Sequence, residues 1–165
     1  MTSDRPSISI QTYEERHAPA LRAFSLPSEQ KRYTDLPATL LDNMAEHRED
    51  HFMVILKDEQ PVGFFALKHD PTHLSPYRKH EAIVLAALSV NASEQGKGYA
   101  GQGMILLKDY VERQWPQIKS IVLGVNVKNR AAQALYEKTG FEDTGRTIMG
   151  EMGQQKVFEL WCGED

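Results

Sequence analysis

Ile83-Val84-Leu85-Ala86-Ala87-Leu88-Ser89-Val90 runs straight into Asn91-Ala92-Ser93-Glu94-Gln95-Gly96-Lys97-Gly98-Tyr99-Ala100, and the reading of this junction decides the fold. The first segment is a short apolar run, the pattern of a buried strand. Glycines at 96 and 98 mark a loop. Beyond it Met104, Leu107 and Val111 recur at helical spacing, with Leu106 and Tyr110 beside them, so a helix follows. Ser120 to Val127 reads as a second strand, and a short helix opened by Asn129 and closed by Gly140-Phe141 completes the stretch. Strand, glycine loop, helix, strand, helix is the order of an α/β unit that binds phosphate.

The loop has a physical use. Glycines at 96 and 98 allow turns that a Cβ forbids and let a ligand come close to the backbone. The first turn of the next helix leaves N–H groups unpaired, and the helix dipole adds partial positive charge there, so a pyrophosphate is the natural occupant. Gly96-x-Gly98-x-x-Gly101 satisfies the dinucleotide fingerprint in letters only. That fingerprint needs an acidic residue about 20 positions on, and no Asp or Glu lies between Gln114 and Tyr136. A P-loop also fails, since no Gly-Lys-Ser/Thr triplet closes the loop.

Gln95-x-x-Gly98-x-Ala100 resembles the acyl-CoA signature Gln/Arg-x-x-Gly-x-Gly/Ala of the GNAT superfamily of N-acetyltransferases. Val90 just before the loop, Asn129 opening the next helix, and Tyr136 in Leu135-Tyr136-Glu137-Lys138-Thr139-Gly140-Phe141 stand at that family's spacing. The resemblance covers roughly Glu81 to Phe158. It departs at Ala100, where glycine is commoner, and at Asn91-Ala92, where a proline is frequent; neither change removes a backbone donor. It implies acetyl-CoA as cofactor and an α/β fold: a GNAT-like central mixed sheet of six to seven strands with helices on both faces. Two splayed central strands, here Ile83–Val90 and Ser120–Val127, would admit the thioester.

At 165 residues the chain is read as a single domain, residues 1–165. Apolar content of 41% and charged content of 25% are those of a soluble globular chain. A net charge of −4 with no basic stripe argues against nucleic acid as a partner. No apolar run reaches the ~18 residues of a membrane span, and the single cysteine, Cys162, fits a reducing cytoplasm. No pair of histidines has metal-ligand spacing, so no metal site is expected. A homodimer through the closing strands is compatible with such folds.

Outside the central unit, Ile8 to Tyr13 alternates as a first strand, and Glu14 to Phe24 reads as a helix interrupted near Pro19. A fresh helix start stands at Leu26 to Gln30, and Pro37 to Arg48 is a further helix with Leu40, Leu41 and Met44 on its apolar face. His51–Lys57 and Val62–Lys68 are strands joined by the hairpin signal Asp58-Glu59-Gln60-Pro61. His69 to His80 reads as loop; Gly145–Gly153 and Gln154–Trp161 give one or two closing strands.

The chemistry divides into parts. The backbone of Gln95, Gly96, Lys97, Gly98, Tyr99 and Ala100 would hold the pyrophosphate, with Gln95 and Lys97 side chains assisting. The resemblance implies that the pantetheine arm pairs with the strand edge at Leu88 and Val90, an instance of strand addition, and that a donor near Leu88 polarises the thioester carbonyl. It places Asn129 beside the cofactor, where the residue also reads as an N-cap, and Tyr136 at the position of the general acid for the leaving thiolate; a core tyrosine is the competing reading. The attacking amine must be neutral, and Glu81 and His80 at the start of the central strand are candidate bases, with Asp35 and Glu29 as alternatives. Ordinary solvated charge is the competing reading for each. The expected function is acetyl transfer from acetyl-CoA to a small-molecule primary amine, such as a polyamine. The alternatives are a protein or peptide N-acetyltransferase and a non-catalytic acyl-CoA-binding sensor domain.

Overall fold

The computed structural model describes residues 6–163. In chain order the elements are β1 (Ile8–Thr12), α1 (Ala18–Arg22), α2 (Ser28–Lys31), α3 (Pro37–Asp42), β2 (His51–Lys57), β3 (Gln60–Lys68), α4 (Pro71–Leu74), β4 (Ala82–Val90), α5 (Tyr99–Gln114), β5 (Ser120–Asn126), α6 (Arg130–Lys138), β6 (Glu142–Gly150) and β7 (Gly153–Trp161). The strands form one seven-stranded sheet in the order β1-β2-β3-β4-β5-β7-β6. Only β4 and β5 run parallel; the other pairs are antiparallel.

Alternation along the strands splits the core in two. Met53, Ile55, Phe65 and Leu85 meet Met104 and Leu107 of α5 and Tyr136 of α6 on one face. Phe52, Val54 and Phe64 meet Leu21 of α1 and Leu41 of α3 on the other. Further along that second face Leu74 and Tyr77 pack on Val84, Val122 and Val157. Helices therefore cover both faces of a mixed sheet, as the resemblance implies.

Two departures from regular pairing create the opening at the centre. β4 and β5 are in register only at Ala82–Val84 and Ser120–Val122, after which they part. On its other side β4 carries a bulge. Phe64 opposes Ser89 while Ala66 opposes Ala86, so Ala87 and Leu88 stand against Phe65 alone, and Ala87 has φ 59°. The inserted residue resets the alternation: Leu85 and Leu88, three apart, both pack on the α5 face, and Ser89 falls on the α1–α3 face.

Elsewhere the structure revises boundaries for local reasons. The helix expected over Pro37–Arg48 stops at Asp42; Asn43 turns its Nδ2 back to Thr39 O at 3.0 Å, and only a 3₁₀ turn at Met44–Glu46 follows. The segment read as a loop from His69 to His80 contains α4, because the Asp70 carboxylate caps the His73 N–H at 3.3 Å and Pro71 takes the first helical position. The first helix is a 3₁₀ turn over Glu15–His17 that passes into α1, with Pro19 in its first turn. Asp58 and Glu59 both have positive φ, 46° and 72°, as a two-residue hairpin turn requires.

Candidate functional site

The loop before α5 leaves backbone donors without partners. Gly96 and Gly98 have φ of 78° and 84°, and a Cβ placed at Gly96 would meet no atom within 4 Å. The backbone there is open to a ligand. No side chain caps α5, and its first ladder bond runs from Gln102 N–H to Gly98 O at 3.1 Å. The amides before Gln102 therefore have no helix partner, and the 16-residue helix behind them adds its dipole. Glu94 stands beside this loop, but Lys57 Nζ at 3.2 Å and Lys97 Nζ at 3.4 Å both face it. The hydrogen bond from Lys57, more than any other contact, holds the Glu94 carboxyl below its usual range, and the group of three carries net positive charge. Gln95 donates through Nε2 to Val90 O at 2.8 Å, tying the loop to the end of β4.

From this loop a cleft of about 580 Å³ passes between the parted strands, with Leu85–Val90 of β4 on one side and Leu123–Asn126 of β5 on the other. Past Val84, β4 has lost β5 as a partner, so its backbone offers a free edge at the bulge. Anion cradle, free strand edge and slot follow one another in the order of a diphosphate carrying a long amide-bearing arm. The residues present fit coenzyme A.

Tyr136 closes the cleft from the α6 side. It is 8% exposed and packs edge-on against Phe141 at 5.4 Å and beside Phe158 at 6.4 Å. Burial drives its phenol well above the ordinary value of 10, so the hydroxyl keeps its proton. Asn129 caps α6 through the Ala132 N–H at 3.3 Å and also lines the cleft, so it serves the helix while facing the ligand space.

Of the residues expected at the site, Leu88, Val90, Gln95, Gly96, Tyr99, Ala100, Asn129 and Tyr136 all line this cleft. Lys97 and Gly98 are exposed and are not part of the cleft lining. Glu81 does not join them. It precedes β4 at the end where the strands are still paired, its side chain is 59% exposed, and it faces Lys119 at 3.5 Å. His80, Asp35 and Glu29 are likewise outside the cleft lining. The lining adds Gln30, Tyr33, Thr34 and Ser89 on one side and Asn126, Glu151, Met152 and Gln155 on the other, which sequence reasoning missed. Ser89 alone left a trace, as the one polar residue in the apolar run. Away from the cleft, ligand atoms of Asp50, Asp70 and His73 lie within 4.8 Å of one another, but Lys68 Nζ already meets Asp50 at 3.2 Å and His73 Nδ1 meets Asp70 at 2.6 Å.

The chain matches the model of the acetyltransferase (GNAT) family over residues 18–141. Among curated proteins it is similar to the uncharacterized N-acetyltransferase YbbJ of Bacillus subtilis (strain 168), 39% identical over 158 residues, which are 95% of this chain and 97% of that protein. Among solved structures, AAC(6')-Ib in complex with paromomycin and acetyl-CoA aligns with a TM-score of 0.76 at 16% identity, over 94% of this chain and 93% of that one. A chimera of the spermidine N-acetyltransferase SpeG from Vibrio cholerae and hSSAT aligns with a TM-score of 0.65 at 18% identity, over 93% and 95%. At those identities the two structures speak to the fold.

Proposed function

The chain belongs to the GNAT family and is an acetyl-CoA-dependent N-acetyltransferase, and we propose that its acceptor is a small primary amine carrying further positive charge, of the polyamine or aminated-metabolite kind. The observation that carries this reading is that the cleft is walled on two sides. Gln30 of α2 is hydrogen-bonded to Gln95 on one side, and on the other Asn126 Nδ2 donates to Met152 O at 3.0 Å, holding the turn between β6 and β7 against β5. Both crossings belong to the cleft wall. A narrow cleft walled on both sides suits a small amine better than the broad surface of a folded protein. Glu151, in that turn, gives the cleft an exposed carboxylate for a second ammonium.

Acetyl-CoA supplies the activated acyl group and a thiol leaving group. The chain's residues do the rest. Amides at the start of α5, with the loop from Gln95 to Ala100, hold the pyrophosphate. The free edge of β4 at Leu88 and Val90 pairs with the arm, and a backbone donor at the bulge polarises the carbonyl. Tyr136 gives its proton to the departing sulfur. A phenol raised by burial releases a proton only to a strong base, and a thiolate formed in the same dry cleft is raised by the same desolvation. The whole chain acts as one domain. The presence of the phenol favours this enzyme over an acyl-CoA sensor, which has no use for a proton donor.

Thiol release from acetyl-CoA, followed with butylamine, putrescine, spermidine, kanamycin and a short peptide, tests the acceptor. The polyamines are expected to accelerate release most. Tyr136→Phe is expected to lower kcat by about 10²–10⁴ with coenzyme A affinity unchanged. Full turnover in that variant removes the proposed acid.

A further inference from the structure

Buried side-chain oxygens without a partner are rare in native proteins. Among the described residues four such atoms have no hydrogen bond: Thr34 Oγ1, Asp50 Oδ2, Ser89 Oγ and Glu159 Oε2. Two of these still face a cation, Asp50 meeting Lys68 Nζ at 3.2 Å and Glu159 meeting Lys79 Nζ at 2.9 Å. Ser89 and Thr34 have neither a hydrogen bond nor a counter-ion, and both line the same cleft.

The sheet places them on one side. Ser89 opposes Phe64, and directly opposed residues share a face, here the one covered by α1 and α3. Leu36, close behind Thr34, packs into that same cluster. Tyr136 belongs to the core on the other face, with Met104, Leu107 and Phe158. A nucleophile arriving beside Ser89 and Thr34 would thus approach from the sheet face opposite the one that carries Tyr136. The cleft's own carboxylates are poor bases for that amine. Glu94 is held by Lys57 and Lys97, and Glu151 is exposed at the hairpin turn. No histidine lines the cleft.

We propose, resting on the acceptor reading above, that the Ser89 and Thr34 hydroxyls are the seat of the attacking amine. On leaving water the ammonium form is disfavoured and gives its proton to solvent. The two hydroxyl oxygens then accept the N–H bonds of the neutral amine, and its lone pair stays free. The amine nitrogen adds to the acetyl carbonyl carbon, the tetrahedral adduct collapses as the C–S bond breaks and Tyr136 gives its proton to the sulfur, and the proton shed by nitrogen returns through solvent to the phenolate.

Ser89→Ala, Thr34→Val and the double variant test this with three readouts: thermal midpoint of the unliganded chain, coenzyme A affinity by titration calorimetry, and KM and kcat with putrescine, spermidine, butylamine and kanamycin. Removing an unpaired buried hydroxyl relieves a cost, so the midpoint is expected to hold or rise. Coenzyme A affinity is expected to stay within about twofold, while KM for the accepted amine rises about tenfold per hydroxyl, the loss of one buried hydrogen bond. A fall in the midpoint would mean that the hydroxyls serve the fold. A matching loss of coenzyme A affinity would assign them to the cofactor arm. Unchanged KM would overturn the proposal outright. Turnover of none of these amines by the unaltered chain is a separate failure, which removes the acceptor reading and this proposal with it.

Discussion

Gln30 and Gln95 exchange two hydrogen bonds, the Nε2 of each donating to the Oε1 of the other at 2.9 and 2.8 Å. Gln95 Nε2 also reaches Val90 O at 2.8 Å, so the signature glutamine joins three segments: the end of β4, the anion loop and α2. The residue that the sequence ties to cofactor binding therefore also fastens the α2 wall of the cleft to the loop before α5.

The two ends of this amide pair are not equal. Gln95→Ala removes bonds to both β4 and α2, and each is worth about 1 kcal/mol. Acetyl-CoA affinity is expected to fall about tenfold, read by titration calorimetry. Gln30→Ala loosens only α2, where water can take over, and is expected to raise acceptor KM more than it alters cofactor affinity. Equal effects on cofactor from both variants would mean that the loop is not anchored through Val90.

Gly98 is the N-cap of α5 with φ 84°, a conformation that suits glycine and is strained for a β-branched residue. Gly98→Val is expected to shift the loop and weaken acetyl-CoA binding by more than about tenfold, since such strain costs about 1–3 kcal/mol. Gly98→Asn, which tolerates the left-handed region, is expected to retain most of the affinity. Wild-type affinity in the valine variant would move the phosphate site elsewhere.

From Ile83 to Phe141 the fold is legible because each element there has a one-dimensional signal: an apolar run, a glycine pair, a helical repeat, an N-cap asparagine. The loop wall of the cleft follows, since it is made of consecutive backbone from Gln95 to Ala100 and the helix that it opens. The rest of the cleft wall is not legible. Thr34, Ser89 and Glu151 come from segments far apart in the chain, and only the tertiary fold brings them to one cleft. The bulge at Ala87 is invisible as well, because alanine carries no turn signal; yet it decides which way Leu88 and Ser89 face. Glu81 shows the limit of reasoning by position on a strand, for it lies at the paired end of β4 while the cleft opens at the other.

His17 gives the fold a pH dependence whose sign is fixed. Its ring is 2% exposed, and its Nδ1 accepts the Glu14 backbone N–H at 3.0 Å, which requires that nitrogen to be unprotonated. Burial, seconded by Arg16, lowers its pKa from the ordinary 6.5, so below 6.5 the unfolded chain binds the proton that the folded chain refuses. Stability is full above that value and declines as pH falls toward the folded pKa. His51, lowered by burial and by His69, adds in the same direction. Thermal midpoints measured from pH 8 to pH 5 are expected to drop on the acid side of about 6.5, and His17→Gln, which stays neutral, is expected to flatten part of the drop. An identical acid limb in that variant would assign the effect to other groups.

Ala87 holds the bulge that opens the site, at φ 59° in a strand with no glycine to take the position. Strain in an irregular strand residue persists only where the surroundings enforce it, and here Phe65 opposes two residues instead of one. Ala87→Gly is expected to keep turnover, with stability within about 1 kcal/mol, because relief of the positive φ offsets the added freedom of the unfolded chain. Ala87→Val should act very differently. A β-branched residue at this φ is a severe outlier, and the cheapest escape is to return β4 to regular pairing. Regular alternation would carry Leu88 to the α1–α3 face and Ser89 into the apolar core beneath α5, one residue losing its packing and the other burying a hydroxyl among Leu85, Leu107 and Phe158. Both a lower thermal midpoint and near-complete loss of kcat are therefore expected in the valine variant. Normal turnover there would show that the catalytic strand works without its kink, and that the splay of β4 from β5 opens the cleft by itself.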